Sequence, residues 1–342
     1  MQGDIPYWGA NCIIDYVNDW LIDGEVVLLG EDGAPFFDKY KDVAFYSNGR
    51  IWPNNHVHVL RALQSINAKL LTYILNTVDY SNYIKGSTRD KLTQAEMKNI
   101  FIQLLPVREQ KAIVNFLDQK TNKIDSLIAD KEKLIELLQE KRQATITEAV
   151  TKGLNPSVKM KDSGIEWIGE IPEHWEVKKL KYVSNITMGQ SPKSEECSYD
   201  EIGVPFLQGN AEFTNVHPIP KLYCNTANKF SKVNDILLSV RAPVGAMNIS
   251  DRVYGIGRGL CAITAKKIQV KYLWYSLTVS LEELFIKSKG STFEAVTVTD
   301  VQNLLIILPP KNEQDAIVNF LDQKTAEIDS LVTETKNQIE KL

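Results

Sequence analysis

Residues Glu109–Leu127 read EQKAIVNFLDQKTNKIDSL, and residues Glu313–Leu331 read EQDAIVNFLDQKTAEIDSL. The two stretches differ at three positions and are offset by 204 residues without a gap, so the chain is a tandem duplication. The same offset aligns Gly86-Ser87-Thr88 with Gly290-Ser291-Thr292; each copy runs through a Gly-Ser-Thr element, an alternating apolar stretch and a proline into the repeated block. A repeat of this length is a domain plus a helix, since solenoid repeats have periods of roughly 20–50 residues.

The block has helical periodicity. Ile113, Leu117, Ile124, Leu127, Leu134 and Leu138 recur alternately at about three and four residues, and Ile317, Leu321, Ile328 and Leu331 repeat the pattern. From Val107 to Val150 there are 8 acidic and 8 basic residues, the balance of a helix whose other faces are solvated. Long helices are predicted over Val107–Thr147 and Asn312–Leu342. Each apolar stripe can bury against its own domain; alternatively the two stripes bury against each other as an antiparallel intramolecular coiled coil, which would relate the domains by a pseudo-twofold axis. The expected fold class is α+β. Two mixed, β-rich domains occupy residues 1–106 and 162–310, with a central helix at 107–150, a linker at 151–161 and a distal helix at 311–342.

A chain of 342 residues with 44% hydrophobic content can fill two ordinary cores. No apolar run approaches the ~20 residues that cross a bilayer, and the opening MQGDIPYWGAN lacks a basic-then-apolar leader, so the cytoplasm is the expected compartment. Cys12, Cys197, Cys224 and Cys261 form no C-x-x-C pair, and domains of this size need no disulfide. The cysteines are therefore read as reduced, with Cys12 and Cys261 as small apolar fillers. The net charge of −4 is unevenly spread: Lys178–Lys271 carries 13 basic and 7 acidic residues, whereas Met1–Leu60 carries 3 and 9. Local cation density is what counterion release rewards, which keeps nucleic acid in play despite the acidic total.

Between the copies, Gly153 and Pro156 in TKGLNP mark a helix stop. KDSGIEWIGEIPEHWEVKKLKYV (Lys161–Val183) then leads into the second domain with Trp167 and Trp175 as packing anchors. Strands are expected near Val204–Leu207, Asp235–Val240 and Gly259–Thr264, followed by a helix from Val270 to Lys287. The first copy shows the same order at Ile5–Tyr7, Gly24–Leu29 and Lys69–Leu75. Nothing in it corresponds to Lys161–Glu201, so the first domain is expected to lack about 40 residues of lead-in and to be the less stable half.

LLPVREQKAIVNFLDQKTNKIDSLI and ILPPKNEQDAIVNFLDQKTAEIDSLV, together with the lead-in segment, resemble the specificity (S) subunit of type I restriction-modification systems. The resemblance implies two target-recognition domains, each reading one half of a bipartite site in double-stranded DNA. It also implies that the paired helices set the spacer and dock two methyltransferase (M) subunits, through which restriction (R) subunits join. Catalysis and cofactor binding are then expected in the partners and not in this chain. Two other readings stand beside this one: a partial or silent S-subunit cassette that donates recognition domains, and a protein-binding adaptor that reads no DNA.

The residues themselves agree with a non-catalytic role. The chain has no G-x-x-x-x-G-K-[ST] loop, no N-P-P-[YF] or D-P-P-[YF] pocket and no H-E-x-x-H helix. Asp118-Gln119-Lys120 and Asp322-Gln323-Lys324 mimic a nuclease fragment, but three consecutive helical residues fan over ~200°. His56 and His58 share a face of a probable strand without a third ligand, so no metal site is expected. DNA contacts fall instead to loop residues. Gln190, Ser191 and Lys193 sit on a strand-end turn, offering an amide to adenine and a cation to phosphate. Arg241 and Arg258, flanked by glycine or proline, can reach a guanine edge or a phosphate. Lys289, Ser291 and Thr292, with their counterparts Lys85, Ser87 and Thr88, suit a phosphate. In the first domain Asn48, Arg50, Asn54 and Asn55 form the one dense run of base-reading chemistry.

Overall fold

The computed structural model describes residues 3–84, 90–166, 168–192, 197–288 and 296–342. It divides into two compact units, Met1–Ala129 and Asp130–Leu342.

The first unit contains β1 (Ile5–Trp8), β2 (Ile13–Val17), β3 (Glu25–Gly30), β4 (Ala44–Asn48), β5 (Trp52–Pro53) and β6 (Val57–Leu60), then α1 (Ala68–Asn76), α2 (Gln94–Met97) and the start of α3 (Val107–Lys152). Its strands form two sheets, β2-β1-β5 and β4-β3-β6. After Glu25 every residue of β3 is buried, which is why the strand reads as a continuous apolar run without alternation. Val27 and Leu29 join Leu71 and Leu75 of α1 in one core, and Val26 and Leu28 join Ile51 in another.

The second unit takes the rest of α3 and continues through β7 (Met160–Asp162), β8 (Glu170–Pro172), β9 (Glu176–Lys179), β10 (Ser184–Met188), β11 (Cys197–Ser198), β12 (Val204–Leu207), β13 (Leu222–Cys224), β14 (Ile236–Ser239), β15 (Met247–Ile249), β16 (Gly255–Ile256) and β17 (Leu260–Ala265). It closes with α4 (Val270–Ser288), α5 (Val298–Asn303), β18 (Leu305–Leu308) and α6 (Lys311–Ile339). The main sheets are β11-β13-β12-β16 and β10-β17-β14-β15, with β9 paired antiparallel to β18. The duplication is visible strand by strand. β1 and β12 each lie between an antiparallel neighbour and a short parallel one, and β3 and β14 each lie between two antiparallel strands. Both β9 and β10 belong to the segment without a counterpart in the first copy.

Two cysteine expectations fail. Cys197 and Cys224 are directly opposite on β11 and β13 and are joined as a disulfide, a pairing set by strand register and invisible in spacing. Cys12 is exposed and no filler, whereas Cys261 is buried and its thiol is pushed up to about 12 by that burial. The helix stop is as read: Gly153 closes α3 with φ +75 and donates its N–H to the Ala149 carbonyl.

Each unit clamps its own domain helix to the repeated block with the same side chains. In the first unit the Gln110 amide donates to the Ser65 and Leu105 carbonyls and accepts from the Asn67 N–H; Asp118 accepts from Lys69 Nζ at 2.6 Å and from the Tyr73 hydroxyl at 3.0 Å. In the second unit Gln314 donates to the Pro309 carbonyl and accepts from the Gln269 N–H, while Asp322 accepts from Lys271 and from the Tyr275 hydroxyl at 2.9 Å. The aspartates of the two D-Q-K fragments are therefore structural. Hydrogen bonding from Lys69 holds the Asp118 carboxyl below the ordinary aspartate range, so it is more acidic folded than unfolded. Its contribution is full above the unfolded value of about 4 and is lost as pH falls through the depressed folded one. Urea denaturation across that window should show the stability of the first unit falling as pH drops, and Asp118→Asn should make that fall shallower.

The long helices partly correct the expected seam. Within the second unit α3 and α6 run antiparallel, bridged by Lys131 Nζ to Gln338 at 2.6 Å and by Arg142 Nε to Asp329 at 3.0 Å. Further along the pair, Ile146, Ala149 and Val150 share a core with Ile317, Val318 and Leu321. Ile317, Leu321 and Ile328 are buried, and Ile113, Leu117, Ile124 and Leu138 are half-buried. Leu127, Leu134 and Leu331 are exposed, at 40%, 45% and 50%. A straight helix drifts by about 20° per heptad, so a strict seven-residue register begun at Ile113 has rotated off the contact by Leu134. Ile135 takes the inward place there. Leu117 belongs to the first unit, beside the Asp118 clamp.

Candidate nucleic-acid interface

At one end of the second unit four loops converge on a cavity of about 340 Å³, lined by Ser191, Gln208, Asn210, Glu212, Arg241 and Arg258 among others. Close backbone packing brings these loops together. A Cβ at Gly189 would lie 2.1 Å from the Gly257 carbonyl oxygen, and one at Gly259 would lie 2.7 Å from that of Gln208, so glycine alone permits either approach. Hydrogen bonds fix the rest. The Gln190 N–H donates to the Ile256 carbonyl at 2.9 Å, and the Arg258 N–H donates to Ser191 Oγ at 3.2 Å. On the third loop, Ser239 Oγ donates to the Arg241 and Pro243 carbonyls across the turn that contains the cis Ala242–Pro243 bond.

Two residues 17 apart in sequence, Arg241 and Arg258, thus line one concavity with Ser191. Both arginines are exposed, and among the described residues neither guanidinium has an ion pair. An unpaired, solvated guanidinium keeps its forked donors for a carboxylate, a phosphate or a guanine edge. Glu212 adds an acceptor: its Oε2 is buried with no hydrogen-bond partner among the described residues. A site holding two cations, a carboxylate and the amides Gln208 and Asn210 presents both donors and acceptors, the complement of base-pair edges. Of the residues expected from their glycine and proline neighbours, Ser191, Arg241 and Arg258 line this cavity; Gln208, Asn210 and Glu212 line it too without having been singled out, and their one signal was their position just after the β12 strand.

The first-domain candidates are dispersed. Asn48 closes β4 and Arg50 lies just beyond it, whereas Asn54 and Asn55 lie past the far end of β5, about 13 Å of extended chain from Arg50. Arg50 stacks on Trp20 at 3.9 Å and its Nε approaches Asp23 at 3.4 Å, so its charge is engaged within the domain. Asn54 turns inward, its Oδ1 accepting from the His56 N–H at 2.8 Å. The physical reason is turn chemistry: an Asn one residue past a strand folds back on its own backbone. His58 Nε2 pairs with the Leu92 carbonyl at 2.8 Å, and no metal-binding group exists among the described residues. Lys85, Ser87, Thr88, Lys193, Lys289, Ser291 and Thr292 lie outside the described residues, as does Trp167.

With that geometry in hand, the comparisons give the class. The family model for the type I restriction modification DNA specificity domain matches residues 1–137 and again residues 172–341, and the chain belongs to that family. It is 38% identical over 284 residues to the MjaX type I restriction enzyme specificity subunit of Methanocaldococcus jannaschii, an alignment covering 79% of this chain and 64% of that relative. It thus spans less than two thirds of that archaeal protein's length. A type I restriction enzyme specificity subunit of Haemophilus influenzae is 27% identical over 329 residues, 94% of this chain and 80% of its own. Among solved structures, a chain from a study of type I R-M system assembly and conformational transition superposes with a TM-score of 0.75 at 26% identity, covering 92% of this chain and 78% of that one.

Among the described residues no helix is long and apolar enough to cross a membrane.

Proposed function

We propose that this chain is a non-catalytic DNA-recognition subunit of a type I restriction-modification complex, in which the second domain reads one half of a bipartite duplex site and the first domain the other. The observation that carries this reading is the cavity lined by Ser191, Arg241, Arg258, Gln208 and Glu212, in a domain whose family is defined by DNA specificity. Arg241 or Arg258 reads a guanine edge or grips a phosphate, and Glu212 suits a cytosine amino group. The exposed leucines Leu134 and Leu137 of α3 and Leu331 of α6 are apolar surface on otherwise solvated helices, and they suit the docking of methyltransferase subunits. Restriction subunits join through the methyltransferase.

The test is substitution within the assembled complex. Arg241→Ala and Arg258→Ala should each weaken sequence-specific binding by about 1–3 kcal/mol if the contact is bidentate to guanine, with relaxed preference at one base pair. A phosphate contact would lower affinity across all sequences and flatten the salt slope by about one. Competition binding against single-position variants of the site separates these outcomes. Unchanged affinity and preference in both variants would remove the cavity from the interface.

A further inference from the structure

The connection from Gln208 to Lys221, between β12 and β13, contains neither helix nor strand, yet it carries Gln208, Asn210 and Glu212 to the cavity. A structureless connection of that length presents side chains in fixed directions only if something outside it holds it down. Part of the hold is apolar: Phe213 packs against the cluster of Leu207, Leu237, Tyr254 and Ile256. Part is the loop's own main chain, where the Ile219 N–H donates to the Glu212 carbonyl at 2.8 Å. The rest comes from β15, the end strand of its sheet, whose Ile249 N–H donates to the Val216 carbonyl at 2.8 Å.

Asn248 of β15 is the polar member of this hold. It is fully buried and sits opposite Leu237 of β14, so its side chain shares the apolar face that Phe213 covers. An amide taken out of water into such a setting costs free energy unless both of its ends are bonded. Both are bonded to one loop residue: Nδ2 donates to the Thr214 carbonyl at 2.7 Å, and Oδ1 accepts from the Thr214 N–H at 3.3 Å. A side-chain amide carries donor and acceptor side by side, which a hydroxyl, a carboxylate or an apolar chain of the same size does not. Thr214 passes the hold along, its Oγ1 donating to the His217 carbonyl at 2.6 Å. Thr214 lies two residues from Glu212, at most about 7 Å of chain. Glu212 Oε2 is buried without a hydrogen-bond partner among the described residues, so the backbone, and no bond of that oxygen, sets where it points.

We propose that Asn248 is a positioning residue for sequence recognition. It touches no base; by clamping Thr214 it holds the Glu212 carboxylate in the cavity that Arg241 and Arg258 also line, so the base preference that Glu212 confers depends on Asn248. The proposal rests on the reading of this cavity as a half-site interface.

The test uses the assembled complex and duplexes carrying the bipartite motif that it methylates, each with one base pair changed. Glu212→Gln identifies the base pair that Glu212 reads. Asn248→Ala should relax preference at that same base pair and lower specific affinity about tenfold, while the salt slope of nonspecific binding and the preferences of the other half-site stay unchanged. Asn248→Leu, which fills the buried volume without the two bonds, should reproduce the change and keeps the test open if the alanine variant does not fold. At that base pair the double variant Asn248→Ala with Glu212→Gln should lose no more than Glu212→Gln alone, because the amide acts through the carboxylate. Unchanged preference in the Asn248 variants, an equal loss on every sequence, or failure of both variants to fold would overturn the proposal. So would unchanged preference in Glu212→Gln beside altered preference in the arginine variants. If Arg241→Ala, Arg258→Ala and Glu212→Gln all bind as wild type, the reading of the cavity fails and takes this proposal with it; altered preference in those three beside normal preference in the Asn248 variants contradicts this proposal alone.

Discussion

Leu321→Lys should unfold the second unit, whereas Leu331→Lys, three helical turns further along the same repeated block, should leave it intact. Leu321 is fully buried among Ile146, Ala149, Ile317 and Val318, so lysine there removes a packed side chain and strands an ammonium without a partner. The lost packing alone is worth about 2–5 kcal/mol and the unpaired charge adds to it, so a total loss of roughly 4 kcal/mol or more is expected. Leu331 is half exposed, and a lysine reaches water from that position at a cost within about 0.5 kcal/mol. Urea denaturation of both variants distinguishes this account from a strict heptad seam, in which both leucines are interior and both substitutions are severe.

Trp175→Ala should be nearly as damaging. The indole is fully buried in the core that α3, α4 and α6 share, and it seals the end of α3: a Cβ on Gly153 would stand 2.9 Å from the ring. Truncating a buried tryptophan costs about 3–5 kcal/mol. It also leaves Glu313 with His174 alone. Trp175→Phe should restore part of the packing but not the hydrogen bond, and so fall between. A drop in the melting temperature of Trp175→Ala no larger than that of an exposed substitution such as Tyr182→Ala would contradict the anchoring role.

What the sequence disclosed followed from chemistry local to a few residues. The apolar run of β3, the Gly153 stop, the β12 strand at Val204–Leu207 and the helix starting at Val270 are each set by neighbours, and each was legible. The three-dimensional pairings were not. Cys197 meets Cys224 only because two short strands adopt a particular register, and Arg50 is engaged by Trp20 and Asp23 from a loop 27 and more residues earlier. The Lys-x-x-x-Tyr clamps on Asp118 and Asp322 could have been found. Lys69 and Tyr73 align with Lys271 and Tyr275, and a cation and a phenol repeated beside a repeated aspartate are a contact signal. The cavity was half legible, because strand-end glycines betray close backbone approach but do not say which loops meet.

The central claim, that this chain directs sequence recognition for a modification complex, is tested most directly by mapping methylated adenines across the genome of cells that carry the methyltransferase, with and without this chain. The account predicts a bipartite methylated motif that appears only when the chain is present, and that loses definition at one position of one half-site in Arg241→Ala or Arg258→Ala. An identical methylation map in the presence and absence of the chain would contradict it.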